Sequence, residues 1–201
     1  MAWLTKNKSG AVEKNMRIEL LHAAAKLFRK KGFHGTSMQD IAEAVGILKG
    51  SIYYHFNSKN EIFREVLIRG INPVIFSAEK FLKEEISPRE KLRKLLHNHL
   101  MYILEHNDSL VIFFQEREKI PLGEPESYLQ KRSRYEEMLK TVLDEGVKRG
   151  DFPAIDVQLT MLAIFGMCNW VVEWYNPKGS KSAEEIAAHM VHLVCDLMLK
   201  V

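Results

Sequence analysis

Cysteine is scarce in this sequence of 201 residues, with only Cys168 and Cys195 present. Both lie in apolar helical segments and lack the C-x-x-C spacing of a redox or metal motif. We therefore expect two buried free thiols, and neither a disulfide nor a cysteine-bound metal.

Long hydrophobic runs are also scarce. We find no apolar stretch long enough to span a bilayer, and the N-terminus lacks the apolar core of a signal peptide. We expect a cytoplasmic protein that makes no membrane contact. The sequence has no strand pattern, internal repeat, Ser/His/Asp arrangement or phosphate-binding loop. It therefore predicts an all-α protein that is not an enzyme and carries no cofactor.

Histidines near the middle of the chain raise one alternative, a helical metal-binding protein that uses His97, His99 and His106 with Glu105. His99 and His106 share a helical face, but His97 points away from it, and no Glu-x-x-His pair is present. We therefore expect no metal.

The net charge of +3 is too small to indicate a partner, but its distribution is uneven. Residues 1–60 hold ten Lys and Arg against four Asp and Glu, a net charge of +6, so the remainder carries −3. A basic front end on a mildly acidic body is typical of phosphate contact confined to one end.

A helix-turn-helix is predicted within residues 35–56. Its first helix begins at Ser37, whose hydroxyl can accept from the backbone near Asp40 while Asp40 reaches back, a capping box. Gly46 can adopt the left-handed conformation that ends a helix, so the chain turns there and starts again within a few residues.

The second helix of this motif has a buried side and a side suited to a DNA groove. Ile52 and Phe56 stand one turn apart and fix the buried side. Lys49 lies in the first turn, where recognition helices usually touch bases. The groups that face outward or lie on the flanks are Gly50, Ser51, Tyr53, Tyr54 and His55.

Other helices flank this motif. A polar arm over residues 1–14 precedes a helix from Asn15 to Lys31, and Ser58 with Glu61 caps a fourth helix that Pro73 should bend or end near Phe76. Further helices are predicted to begin near Ser87 and to span 126–149, 156–174 and 182–199.

The helix over 156–174 is apolar on nearly all sides and must be covered on both. A chain of this length covers only part of that surface. We therefore predict that this helix and the last one pair with their copies in a two-fold four-helix interface, where Gly166 permits a close crossing.

Residues 17–63 resemble the DNA-binding domain of the tetracycline-repressor (TetR) family. The matching segments are Gly32-Phe33, Gly35-Thr36-Ser37, Ile41-Ala42, Gly46-Ile47, Gly50-Ser51, Tyr53-Tyr54-His55-Phe56 and Ser58-Lys59. The resemblance implies a homodimer, with a three-helix DNA-binding domain (residues 1–60) and a larger six-helix ligand-binding and dimerisation domain (residues 61–201). It implies base contacts by Lys49 and Gly50. Phosphates or groove edges would meet Ser37, Ser51, Tyr53, Tyr54, His55 and Lys59.

Leu48 departs from the family pattern, in which a small hydroxyl residue usually caps the recognition helix. Losing a cap costs about 1 kcal/mol. We expect a frayed start of this helix before DNA binds.

The C-terminal part, including 165–170 and 174–179, is similar to a branch whose members regulate fatty-acid and steroid breakdown and bind acyl-CoA thioesters. This similarity implies a ligand-responsive regulator, a repressor by family resemblance, that leaves a palindromic operator when a hydrophobic effector such as a long-chain acyl-CoA binds. Candidate pocket residues carry aromatic or polar tips on apolar faces: His99, Tyr102, Phe113, Phe114, Tyr128, Tyr135, Met138, Phe165, Asn169 and Trp170.

The main alternative within regulation is a multidrug-sensing repressor of an efflux pump. Such a sensor would also use aromatic walls but would need buried carboxylates for cations. Glu105, Glu173 and Asp196 are the carboxylates available for that role.

Overall fold

The computed structural model describes residues 2–105, 112 and 126–200. Regular structure in these ranges is helical throughout, so the all-α prediction is confirmed. The helices described are α1 (Ala2–Lys31), α2 (Met38–Ala44), α3 (Lys49–His55), α4 (Lys59–Leu82), α5 (Pro88–Glu105), α6 (Glu126–Arg149), α7 (Val157–Trp174) and α8 (Ala183–His192), which leads into a π-helical turn (Leu193–Met198).

The described residues form two compact units, one over 2–70 with Ile112 and the other over 71–105 with 126–200. The division falls inside α4, after Gly70, whereas the sequence placed the domain boundary at residue 60. The first turns of α4 belong with α1 to α3 because their apolar side chains, Ile62, Phe63, Val66 and Leu67, are buried.

Three aromatic rings form the centre of the N-terminal unit. Phe28 on α1, Phe33 after it and Phe63 on α4 have ring centroids 5.0 to 6.0 Å apart. Truncating one such buried ring to alanine costs about 3–5 kcal/mol. The cluster therefore holds α4 against the helices that precede it.

Two helices are longer than the sequence suggested. The expected arm over residues 1–14 is not present, because α1 begins at Ala2 and no proline interrupts residues 2–31. Helix α4 continues through Pro73 to Leu82. Proline removes one helix hydrogen bond, but Val74, Ile75 and Ala78 are buried beyond it and keep the helix in place.

The C-terminal unit is built from the part of α4 after Gly70 and from α5 to α8. Ser87 with Glu90 and Ser182 with Glu185 form capping boxes at the starts of α5 and α8, where the sequence predicted helices to begin. Gly150 follows the end of α6 with a φ of 77°, in the left-handed region that favours glycine. Residues 106–111 and 113–125, between α5 and α6 in the sequence, lie outside the described residues.

The last helix, α8, ends as a regular α-helix at His192. It continues as a π-helical turn, and the backbone carbonyls of Cys195 and Leu199 accept hydrogen bonds from the guanidinium of Arg89. Arg89 also donates to the carbonyl of Asp151. One arginine on α5 therefore satisfies carbonyls that a helix end otherwise leaves open.

Candidate DNA-binding surface and effector site

The start of α2 is fixed by the capping box that the sequence predicted. The backbone nitrogen of Asp40 donates to Ser37 Oγ at 3.0 Å, and the backbone nitrogen of Ser37 donates to Asp40 Oδ2 at 2.7 Å. Lys31 Nζ lies 2.7 Å from Asp40 Oδ1. The Lys31 ammonium and the Ser37 donors hold the pKa of Asp40 well below its usual range.

The turn between α2 and α3 is as short as predicted. Gly46 has a φ of 75°, in the left-handed region, and α3 begins after Leu48. Leu48 is 81% exposed and makes no side-chain hydrogen bond to the helix start. Ile52 and Phe56 are both 0% exposed, so the predicted buried side of α3 is confirmed.

The opposite side of α3 faces solvent. Lys49, Gly50 and Ser51 are exposed, Tyr54 is 73% exposed and Tyr53 is 48% exposed. A Cβ added at Gly50 would meet no atom within 4 Å. The missing side chain at Gly50 therefore serves no packing need in this chain, and it lets an external surface approach the helix closely.

The remaining candidates on this surface are placed differently. Ser37 is exposed, while His55, at the end of α3, is half-buried. Lys59 Nζ donates to the carbonyls of Phe33 and Thr36, each at 2.7 Å, and lies 4.4 Å from the centre of the Phe33 ring. Its ammonium thus ties the start of α4 to the connection between α1 and α2.

Arg17 on α1 was not singled out from the sequence, yet it anchors the end of α3. Its guanidinium donates to the backbone carbonyl of His55, is paired with Glu61 and Glu65 on α4, and lies 4.0 Å from the centre of the Phe56 ring. Only the spacing of Glu61 and Glu65 on one face of α4 hinted at a basic partner.

Four of the predicted effector residues come together in the C-terminal unit. His99 on α5 is stacked on Tyr135 of α6, with ring centroids 5.6 Å apart and an interplanar angle of 14°. Phe165 on α7 lies 5.5 Å from His99 and 5.7 Å from Tyr135. His99 Nε2 lies 3.1 Å from Asn169 Oδ1. We call these four residues the His99 cluster.

Burial controls ionisation in this cluster. It lowers the pKa of His99 to about 4, although the hydrogen bond to Asn169 opposes the shift, and it raises the pKa of Tyr135. Both side chains are neutral at physiological pH. The cluster is therefore an uncharged, mainly aromatic environment with one polar pair.

The other predicted pocket residues do not all join this cluster. Tyr128 is buried, Tyr102 and Met138 are half-buried, and burial raises the pKa of Tyr102. Trp170 is 65% exposed on the outer side of α7. Phe113 and Phe114 lie outside the described residues.

The carboxylates considered for a cation sensor are not buried. Glu105 and Glu173 are exposed, and Asp196 is paired with Arg93 and His192. The Arg93 guanidinium, with His192, holds the pKa of Asp196 below its usual range.

The histidines considered for metal binding are dispersed. His97 pairs with Glu184 at 2.9 Å, and His99 is bonded to Asn169. Within the described residues no group of three His, Cys, Asp or Glu side chains is placed to bind a metal ion. His106 lies outside those residues.

Helix α7 has one buried and one exposed apolar side. Met161, Ile164, Cys168 and Val171 are buried in the unit. The exposed side, which we call the outer face of α7, consists of Leu159, Leu162, Gly166, Trp170 and Trp174. In the described ranges α7 alone has the length and hydropathy of a membrane span, contrary to the expectation that no apolar stretch is long enough, and only 22% of it is buried.

Two family profiles match the chain. The profile described as bacterial regulatory proteins, tetR family, matches residues 20–66, and the tetracyclin repressor-like, C-terminal domain matches residues 85–198. The chain belongs to the tetR family. It is a helix-turn-helix transcriptional regulator, as the sequence predicted.

Its similarity to a known regulator extends over nearly the whole chain. The HTH-type transcriptional repressor KstR2 of Rhodococcus jostii (strain RHA1) is 31% identical over 194 residues, which cover 96% of this chain and 93% of that protein.

Two solved structures share the fold over most of the chain. One is the TetR family transcriptional regulator PfmR of Thermus thermophilus, with 36% identity, a TM-score of 0.78 and coverage of 88% of this chain and 96% of the other. The ketosteroid transcriptional regulator KstR2 of Mycobacterium tuberculosis has 29% identity, a TM-score of 0.79 and coverage of 90% and 93%.

Proposed function

We propose that this regulator binds a palindromic operator as a homodimer and represses transcription until a hydrophobic effector binds to its C-terminal domain. The observation that carries this proposal is the two-sided character of α3. Ile52 and Phe56 are fully buried, while the side chains around Lys49 and Tyr54 face solvent. Such a helix is held rigidly by the protein and is free to enter a major groove.

Each candidate group on this surface has a proposed role in DNA binding. Lys49 and Gly50 face the bases, because the first turn of a recognition helix lies deepest in the groove. Hydroxyl, phenol and imidazole groups contact the phosphates and the groove edges: Ser37, Ser51, Tyr53, Tyr54 and His55. Lys59 supports the surface by holding the α1–α2 connection, because its ammonium is bound by two carbonyls there.

The homodimer forms through α7 and α8. The outer face of α7 presents two tryptophans and two leucines to solvent, and Leu197 after α8 is 59% exposed. Exposed apolar surface of this extent is typical of an interface. When a second copy covers the outer face, the apolar character of α7 is explained by a protein interface and requires no membrane. Because the proposed operators lie on chromosomal DNA, the protein acts in the cytoplasm.

The effector acts through the His99 cluster and through Tyr102, Tyr128 and Met138 of the same unit. Uncharged aromatic walls suit a ligand with a long apolar part, and an acyl-CoA has such a part. A relative with this fold is a ketosteroid regulator, which also suggests a hydrophobic ligand. Release of the operator requires that the effector bind more tightly to the conformation that does not fit DNA.

Fluorescence anisotropy with labelled DNA from upstream of the protein's own gene tests the proposal. We expect binding of one dimer per operator, weakened steeply by salt, and release by oleoyl-CoA but not by free CoA. The cationic dye rhodamine 6G serves as the competitor for the efflux-sensor alternative. Release by the dye and not by oleoyl-CoA would favour that alternative, and failure to bind DNA at low salt would reject the regulatory proposal.

A further inference from the structure

His99 holds a polar atom without a partner among the described residues. Its Nε2 lies 3.1 Å from Asn169 Oδ1, so Nε2 carries the proton and donates to that oxygen. Nδ1 is then an acceptor. It is buried, and it finds no hydrogen-bond partner in the described part of the chain.

An unpartnered acceptor in this position is unusual. His99 as a whole is only 6% exposed, and aromatic rings from α6 and α7 lie against it. About nine in ten buried polar groups in proteins are hydrogen-bonded, and leaving one unsatisfied costs about 1–3 kcal/mol. Phe165 contributes no donor and Tyr135 is stacked face to face, so neither ring satisfies Nδ1. None of the described residues therefore donates to Nδ1, and a bound ligand that carries a donor can.

We propose that Nδ1 of His99 is the polar anchor of the effector, and that the effector is a hydrophobic molecule carrying a hydrogen-bond donor, a hydroxyl or an amide N–H, next to its apolar part. This inference rests on the effector site proposed above and specifies its chemistry. Asn169 fixes the tautomer through Nε2, and Tyr135 and Phe165 fix the ring plane. A ligand donor at Nδ1 completes the hydrogen bonding of the imidazole without any charge in the cluster.

The selectivity follows from this geometry. An apolar ligand without a donor would fill space but leave Nδ1 unsatisfied, whereas a ligand with a donor removes that penalty. A net hydrogen bond of about 1 kcal/mol corresponds to roughly fivefold in affinity. The cluster should therefore distinguish two isomers that differ only in whether their oxygen carries a hydrogen.

Octan-1-ol and heptyl methyl ether are such a pair, with identical composition and a donor only in the alcohol. We would titrate each into ¹⁵N-labelled full-length protein and follow the imidazole nitrogens of His99. We expect octan-1-ol to bind about fivefold more tightly than the ether. Only the alcohol should shift the Nδ1 signal toward that of a hydrogen-bonded nitrogen.

Two variants on α5 make the comparison specific. His99→Phe keeps an aromatic ring but removes the acceptor, so the preference for the alcohol should disappear. His97→Phe makes the same change at a half-exposed site whose imidazole is paired with Glu184, and it should keep the preference. If His99→Phe does not fold, the nitrogen signals of the unaltered protein decide alone.

Equal affinity for the two isomers, or binding of neither, would overturn the inference. So would an Nδ1 that is already hydrogen-bonded in the ligand-free protein, as it would be if an internal water were its partner. This test and the test of the proposed function can fail independently of each other. If oleoyl-CoA releases the operator but the protein shows no preference between the two isomers, only the role of His99 as the polar anchor is rejected. A clear preference without release by oleoyl-CoA would reject only the acyl-CoA effector.

Discussion

The guanidinium of Arg17 on α1 donates a hydrogen bond to the backbone carbonyl of His55, the last residue of α3. The same guanidinium is paired with Glu61 and Glu65 in the first turns of α4. The end of the recognition helix is therefore fixed to α4 through a side chain that does not itself lie on α3. A shift of the first turns of α4 would be passed to α3 through this residue.

Replacing Arg17 with methionine should loosen α3 while keeping the apolar contact with Phe56. We expect operator affinity to fall about tenfold or more, because orienting the helix becomes part of binding. Backbone amides of α3 should also exchange hydrogen faster. Lys26→Met removes an equal charge from an exposed site on α1 and serves as the control. If both variants lose the same operator affinity, the positive charge alone supports DNA binding, and the contacts of Arg17 with His55, Glu61 and Glu65 do not.

Lys59 allows a structural role to be separated from a phosphate contact. Because its ammonium is bound by the carbonyls of Phe33 and Thr36, Lys59→Met should lower the melting temperature and the operator affinity together. The slope of log affinity against log salt should stay the same. A lysine that contacts phosphate would instead lower that slope by about 1 when removed, with little change in melting.

Leu48→Ser should stabilise the protein. Leu48 is the exposed residue before α3 and its side chain makes no cap, so a serine hydroxyl there can accept from the backbone NH of Gly50 or Ser51 in the first turn. We expect a gain of about 1 kcal/mol, or a melting temperature roughly 2–4 °C higher. Leu48→Ala, which removes the exposed side chain without adding a cap, should give no such gain. An unchanged or lower melting temperature for Leu48→Ser would contradict this account.

The local features of the fold were readable from sequence, because a few neighbouring residues determine them. Ser37 with Asp40, Gly46 and the buried pair Ile52 and Phe56 all lie where short-range patterns placed them. Leu48 was recognised as an absent cap for the same reason. These features depend on contacts within one or two helical turns.

The contacts that complete each site could not be read in this way. Arg17 meets His55 across 38 residues, and His99 meets Asn169 across 70. Such pairs depend on how whole helices pack against each other. The hydrophobic periodicity of one helix does not show which of its residues lie opposite those of another. Trp170 illustrates the limit, because a residue on an apolar helix can face the core or a second chain with the same sequence pattern.

Protonation of His99 should make the C-terminal unit sensitive to acid. Its pKa is about 4 in the folded protein against an ordinary value of 6.5, so the unfolded chain takes up the proton first as pH falls. Neutral His99 therefore contributes to the free energy of unfolding above pH 6.5. This contribution, roughly 3 kcal/mol at most, is lost progressively as the pH falls toward 4. Tyr135 and Cys168 remain neutral over this range, because burial raises the pKa of both.

Urea unfolding at several pH values checks this expectation. His99→Phe should flatten the dependence between pH 6.5 and 4 relative to the unaltered protein, whereas His97→Phe should leave it in place. A dependence that survives His99→Phe would show that another group controls the acid response.

Gly166 tests the proposed dimer without disturbing the monomer. It lies in the middle of the outer face of α7, between Leu162 and Trp170, and a Cβ added there would meet no atom within 4 Å of its own chain. Gly166→Leu should therefore leave the fold intact but overfill a close helix crossing, which costs about 1–3 kcal/mol. Sedimentation equilibrium should show dimerisation weakened by about fivefold to a hundredfold. Thr141→Leu places the same side chain at an exposed site on α6 and should not affect association. If Gly166→Leu dimerises as tightly as the unaltered protein, the outer face of α7 is not the interface.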